Sequence, residues 1–216
     1  MERCVIFCAG DFTELPEPIR ETDCVIAADG GLAHLQRLGI RPRIILGDFD
    51  SLGYVPGDGQ VFPVEKDDTD AMLAVRKGLQ LGYRSFLLYG AMDGPRPDHT
   101  VANYQLLCFL ARHGAHGYLV GSTHTATVVS GEQVCFPDTA TGILSAFCMG
   151  PEATGVTLSG LQYPLTDGTL SPDFPLGVSN HFIGENAAVT VKNGSVLLIY
   201  DRENGFPTRK HLEVSV

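Results

Sequence analysis

Residues 44–70 constrain this chain most. An apolar run, Ile44-Ile45-Leu46, ends in Gly47-Asp48-Phe49-Asp50-Ser51, and a second acidic cluster follows at Lys66-Asp67-Asp68-Thr69-Asp70. Short apolar runs bounded by turn residues predict buried strands. Asp48 and Asp50 stand two residues apart, so in extended chain they project to one side. Two like charges held that close repel unless a cation sits between them. Carboxylates at the carboxyl end of a strand also lie where open α/β sheets bind ligands. A hard divalent cation carrying a phosphorylated ligand fits, because Mg²⁺ prefers carboxylate and phosphate oxygens. One pair of aspartates alone is better explained as a solvated polar loop. Three acidic positions grouped around strand ends favour a site.

The flanking pattern extends this reading. Strands are predicted over residues 5–9, 24–28, 43–47, 61–64, 86–89 and 117–120. Between them lie a short helix over 16–21 and a helix over 32–38 with Gly39 as its C-terminal cap. A third helix shows Ala71, Ala74, Val75, Gly78 and Leu79 on one apolar stripe, with Asp68 or Thr69 at its start. A fourth opens at Asp98 or His99 and runs to about residue 112, after a glycine- and proline-rich loop over 90–97. Alternation of this kind predicts a three-layer α/β domain with a mostly parallel sheet over residues 1–122. From there the texture changes. Residues 125–129, 133–136, 143–147, 156–158, 188–192 and 196–200 read as short strands between turns, with no helical pattern. Asn193-Gly194 is the strongest hairpin signal. Residues 123–216 are therefore predicted to form an all-β domain, a β-sandwich or jelly roll. Residues 201–216 are assigned no role.

The formal charge of −10 disfavours nucleic acid as a partner. Cys4, Cys8, Cys24, Cys108, Cys135 and Cys148 form no Cys-x-x-Cys pair, and most sit in apolar runs. They predict buried free thiols in a reducing compartment. No run is long enough to span a membrane or serve as a secretion signal, so the expectation is a cytoplasmic protein. The histidines show no metal-ligand spacing.

Neither a Gly-x-x-x-x-Gly-Lys-Ser/Thr loop nor a Gly-x-Gly-x-x-Gly after a strand occurs. In their place, loops stand at successive strand ends: Asp29-Gly30-Gly31, residues 47–51, residues 66–70 and residues 90–99. In a parallel sheet these gather at one edge. Taken singly, Asp29 reads as an Asp-Gly turn, Asp68 and Asp98 as helix caps, Arg96 as a solvated loop charge and His99 as structural. Only their conjunction argues for a site.

That conjunction resembles the thiamine pyrophosphokinase family. The matching motifs are Ala28-Asp29-Gly30-Gly31, Leu46-Gly47-Asp48-Phe49-Asp50-Ser51, Lys66-Asp67-Asp68-Thr69-Asp70 and Arg96-Pro97-Asp98-His99. In the second half they are Gly155-Val156-Thr157-Leu158, Tyr163-Pro164-Leu165, Gly177-Val178-Ser179-Asn180 and Gly184-Glu185. The resemblance implies an ATP- and Mg²⁺-binding α/β domain, a β domain that helps hold thiamine, and a homodimer with a composite active site. It assigns Mg²⁺ to Asp48, Asp50 and Asp70. It places Asp29, Gly30, Lys66, Thr69, Arg96 and His99 at ATP, Asp98 at the reacting hydroxyl, and Ser179 and Asn180 at thiamine. The loop over 90–98 is one residue longer than the family's compact form. The chain also has no tryptophan, where animal members stack one on the substrate, so another apolar side chain must cover the ring. The implied reaction is pyrophosphoryl transfer from ATP to the thiamine hydroxyl, giving thiamine diphosphate and AMP. The rivals are a phosphatase of the haloacid dehalogenase type, whose Asp-x-Asp also follows a strand, and a non-catalytic nucleotide- or thiamine-binding protein.

Overall fold

The computed structural model describes residues 2–49, 57, 59–61 and 68–212. The chain divides into two compact units, Met1–Ser122 and Thr123–Val216.

The first unit carries strands β1 (Cys4–Phe7), β2 (Cys24–Ala28), β3 (Ile44–Gly47), β4 (Gly59–Val61), β5 (Ser85–Tyr89) and β6 (His116–Val120). Its helices are α1 (Gly31–Leu38), α2 (Asp70–Gln80) and α3 (Pro97–Arg112). Within this unit the strand order is β6-β5-β1-β2-β3-β4, and each of these pairings is parallel. Every residue of β1 and β2 is buried, as expected where helices cover both faces. Right-handed crossovers put α1 on one face and α2 and α3 on the other. The packing agrees. A Cβ at Gly78 of α2 would meet Phe86, and one at Gly117, beside Phe86 in register, would meet Leu107 and Leu110 of α3.

One local expectation fails here. Residues 16–21 form no helix. Pro16 and Pro18 interrupt the run, and the residue before a proline disfavours helical backbone. Arg3 instead ties the segment down, through Glu17 at 2.6 Å and Asp23 at 2.7 Å. The fourth strand occupies Gly59–Val61, and the remainder of 61–64 lies outside the described residues.

The second unit holds β7 (His124–Val129), β8 (Glu132–Phe136), β9 (Ile143–Cys148), β10 (Ala153–Ser159) and β11 (Leu165–Leu170). It continues with β12 (Gly177–His181), β13 (Ala187–Val191), β14 (Val196–Asp201) and β15 (Thr208–His211). Within it, β12-β9-β14-β7 form one antiparallel set and β11-β10-β13-β8-β15 another. Val129, Leu144, Leu198 and Tyr200 from the first share one buried core with Val134, Val156, Leu158 and Val189 from the second. Asn193-Gly194 joins β13 to β14, and these belong to different sheets, so the turn is not a hairpin. Gly194 has φ 82°, and a Cβ there would lie 2.4 Å from the Glu152 carbonyl. The turn chemistry is that of a hairpin, but Asn193 pairs its peptide with Thr154 and turns the chain across the sandwich.

Candidate active site

The carboxyl ends of β2 and β3 and the start of α2 bring Asp29, Asp48 and Asp70 together. One carboxylate oxygen from each lies within 4.8 Å of the others. Asp29 is buried while Asp48 and Asp70 are half-buried. Its Oδ1 is fully buried and has no hydrogen-bond partner. At an effective dielectric near 20, two unit charges at that distance repel by about 3.5 kcal/mol. An orphaned buried carboxylate oxygen beside two further carboxylates fits a hard divalent cation, which prefers oxygen donors.

The backbone is shaped to hold this cluster. Asp29 adopts φ 49°, a left-handed conformation that aspartate tolerates better than most residues. Its N–H donates to Leu46 O at 2.8 Å. Gly47, with φ 151°, allows the approach, since a Cβ there would lie 2.9 Å from Asp29 Cα. Phe49 is buried and also left-handed at φ 62°. A bulky residue in that region stores strain of about 1–3 kcal/mol, typical of ligand-holding turns. Asp70 occupies the first turn of α2, where the helix dipole favours a carboxylate.

The cluster departs from the expected ligand set in one respect. Asp29, expected at the nucleotide, stands among the carboxylates. Asp50 and Lys66 lie outside the described residues. Thr69 is the N-cap of α2, its Oγ1 accepting from Met72 N at 3.2 Å. Asp68 pairs instead with Arg76 at 2.9 Å. Gly30 is the N-cap of α1 and makes no side-chain cap bond.

Arg96 and Asp98 meet at the start of α3. Arg96 Nε donates to Asp98 Oδ1 at 3.0 Å and Nη2 to Oδ2 at 2.7 Å, both side chains being exposed. Hydrogen bonding from Arg96 holds the Asp98 carboxyl down at about 2. His99 is exposed, and its backbone N–H donates to Arg96 O. The loop before this pair is pinned by groups that carry no motif. Asn103 Nδ2 donates to Ala91 O at 2.6 Å, Thr100 Oγ1 to Met92 O at 2.9 Å, and Ser122 N to Asp93 Oδ2 at 2.6 Å. A buried asparagine within an otherwise apolar helix face was the one signal of Asn103.

In the second unit, Ser179 and Asn180 differ. Asn180 is buried. Its Oδ1 accepts from Tyr163 N and from His181 N, both at 2.9 Å, and its Nδ2 donates to Tyr163 O at 2.7 Å. The amide is thus largely occupied in clamping the Tyr163 peptide, whose side chain is 61% exposed. Ser179 is left-handed, φ 55°, and its N–H donates to Ser145 Oγ.

Comparison with known proteins gives one answer. Residues 15–119 match the thiamin pyrophosphokinase catalytic domain, and residues 134–198 match the thiamin pyrophosphokinase vitamin B1 binding domain. Thiamine pyrophosphokinase of Bacillus subtilis (strain 168) is 26% identical over 183 residues, covering 81% of this chain and 85% of the relative. The crystal structure of a Bacillus subtilis thiamine pyrophosphokinase superposes with a TM-score of 0.81 at 23% identity, over 93% of this chain and 99% of the other. A thiamin pyrophosphokinase family protein from Enterococcus faecalis gives 0.77 at 26%, over 93% and 98%. The enzyme from Candida albicans gives 0.71 at 15%, over 93% and 88%, a likeness of fold.

Proposed function

The chain belongs to the thiamine pyrophosphokinase family, and we infer that Asp29, Asp48 and Asp70 mark the place where a pyrophosphoryl group passes from ATP to thiamine. The products are thiamine diphosphate and AMP. The observation that carries the site is the carboxylate cluster with its orphaned Asp29 oxygen, inside the stretch that matches the catalytic domain.

Asp29, Asp48 and Asp70, with Asp50 from the same loop, would hold Mg²⁺. When bound, Mg²⁺ supplies charge neutralisation for the phosphate oxygens of ATP. The chain's own groups do the remainder. Lys66 and Arg96 offset phosphate charge, and Gly30, Thr69 and His99 line the nucleotide. While Arg96 grips Asp98, that carboxylate is a poor proton acceptor. Turning Arg96 toward the nucleotide frees Asp98 to orient the thiamine hydroxyl and accept its proton. Ser179 and Tyr163 face thiamine, and Asn180 acts through Tyr163 by fixing its peptide. An exposed aromatic ring carried on a fixed peptide suits a flat, positively charged heterocycle.

The finer architecture is proposed on the same footing. The all-parallel pairings support a mostly parallel sheet in the first unit. The strand orders β12-β9-β14-β7 and β11-β10-β13-β8 support a jelly roll in the second, because eight strands so divided make two Greek keys. The protein acts as a homodimer whose active site takes residues from both protomers. In support, the apolar side chains of Phe174, Leu176 and Val178 are exposed at alternate positions, with Tyr163 and Ile183 nearby in sequence. No described helix is long and apolar enough to cross a membrane, in keeping with a cytoplasmic enzyme.

The test is the product pair. Turnover of ATP should depend on thiamine and release AMP without free phosphate. ADP with thiamine monophosphate would replace this reading by ordinary kinase chemistry, and a covalent phosphoaspartate would replace it by the phosphatase mechanism.

A further inference from the structure

The segment from Gly90 to Asp93 leaves β5 and leads toward Arg96 and Asp98. It is irregular backbone, yet its carbonyls are claimed one after another. Gly90 O accepts from Gly10 N at 2.9 Å, and Asp93 O accepts from Asp11 N at 3.0 Å. Between them, Ala91 O accepts from Asn103 Nδ2 at 2.6 Å and Met92 O from Thr100 Oγ1 at 2.9 Å. The chain leaving β1 therefore holds the outer two carbonyls, and α3 holds the inner two. The approach of Gly10 is close. A Cβ there would lie 2.5 Å from Asp93 O and 2.6 Å from Gly90 O.

The inner two holds come from the helix into which the loop itself leads. Thr100 and Asn103 are spaced i, i+3 and so share one face of α3. Arg96 is the N-cap of that helix, and Asp98 lies in its first turn. The chain thus closes a ring from Ala91 through Arg96 to Asn103. Asn103 is 7% exposed and Ala91 4%. A buried carbonyl deprived of its donor costs more than an average hydrogen bond contributes. The loop is anchored as far as Asp93, and the fixed φ of Pro95 and Pro97 stiffens what remains before and after Arg96.

We propose that Asn103 is a positioning residue for the transfer, given the roles proposed for Arg96 and Asp98: through Ala91 it holds the loop that carries Arg96 toward ATP and Asp98 toward the thiamine hydroxyl. Asn103 is buried and acts through the loop, not on either substrate. Displacing a reacting group by an ångström can cost on the order of a hundredfold in rate. Asn103→Asp keeps the shape of the side chain but puts a carboxylate where the donor was, with no hydrogen to give Ala91 O. Protonation restores one, and burial raises the pH at which the introduced carboxyl takes it up. The variant therefore regains the clamp as pH falls. Groups common to both proteins, Asp93, Asp98 and His99 among them, cancel in the ratio of variant to wild type.

The test compares the whole wild-type protein with Asn103→Asp and Thr100→Val. Thiamine-dependent AMP release by the wild type is measured first; its absence would overturn the roles of Arg96 and Asp98, and the positioning role with them. At about pH 8 the kcat of Asn103→Asp should fall roughly thirtyfold, with KM for thiamine within about threefold of wild type. The variant-to-wild-type ratio of kcat should then climb on the order of tenfold between about pH 8 and pH 6. Hydrogen exchange gives a second readout that needs no turnover. The Gly10 and Asp11 amides should lose protection in the variant while those within β2 keep theirs. Thr100→Val removes only a half-buried hydroxyl. It should lower kcat several-fold and loosen the same two amides, which decides the question even where Asn103→Asp folds poorly. Protection lost equally across β1, β2 and β5 would mark a general loss of stability. A kcat ratio flat with pH would mean that Ala91 needs no donor there, and loosened amides with kcat unchanged would leave the clamp outside the transfer. Any of these three results would overturn the proposal.

Discussion

Asp29 is the residue on which the site turns, and its role follows from what its neighbours deny it. Its buried Oδ1 has no protein donor, and its backbone is held left-handed against Gly47. Sequence spacing could place Asp48 and Asp50 on one side of a strand. It could bring Asp29 to the same sheet edge but not set it beside Asp48 and Asp70, because Asp29 follows a different strand and resembles an ordinary Asp-Gly turn. Removing one charge relieves repulsion while destroying the ligand set. Asp48→Asn should therefore abolish turnover, and its unfolding temperature in EDTA should be unchanged or raised by a few degrees. The rise that Mg²⁺ gives the wild type should be lost in calorimetry. An unaltered response to Mg²⁺ would remove Asp48 from the cation site. Asp98 offers a second test. Its carboxyl is held at about 2 by Arg96. A depressed carboxylate favours the folded state above its unfolded value near 3.9, and that contribution is lost as pH falls through about 2. In Arg96→Gln the Asp98 titration, followed by carboxyl carbon NMR, should move up toward the ordinary carboxylate range. A midpoint that stays near 2 would mean that something other than Arg96 sets it.

Elements with a strong period were legible, and elements without one were not. Helix α2 buries Ala71, Ala74, Val75 and Gly78 as its stripe requires, and α1 ends on a left-handed Gly39. Strands β11, β12 and β15 escaped notice because their stability comes from pairing rather than from their own apolar content. β12 reads Gly-Val-Ser-Asn-His, and β15 reads Thr-Arg-Lys-His. β15 pairs with β8 and covers that sheet edge. Its Arg209 enters the unit, donating to Val128 O, to Thr127 Oγ1 and to Glu132, with both charged side chains only 11% exposed. Within the segment left without a role, Thr208–His211 is thus a structural clasp. Removing one partner strands a buried charge, which costs about 3–5 kcal/mol. Arg209→Ala should lower the denaturant midpoint by that equivalent, with turnover at low temperature nearly intact. A loss of activity without a loss of stability would give the clasp a catalytic meaning it does not have here.

At the scale of the whole molecule, the change from alternating helices and strands to short strands alone was visible as texture, because periodicity survives without knowledge of contacts. The division of the last nine strands between two sheets was not, since Asn193-Gly194 carries hairpin chemistry in a turn that changes sheets. Subunit arrangement is a property of the same scale, and the proposed homodimer makes a quantitative demand. Let one inactive variant carry Asp48→Asn and another carry Ser179→Trp, a block on the thiamine side. If each site draws Asp48 from one protomer and Ser179 from its partner, a mixed dimer gathers both defects in one site and leaves the other whole. Two-fold symmetry and random mixing make about half the dimers mixed, each with one good site, so co-refolding should restore roughly a quarter of wild-type activity. Light scattering must first establish the dimer, and affinity tags of two kinds must isolate the mixed species. Verified heterodimers that remain inactive would show that each protomer completes its own site, and Ser179 would then have to serve the carboxylates of its own chain.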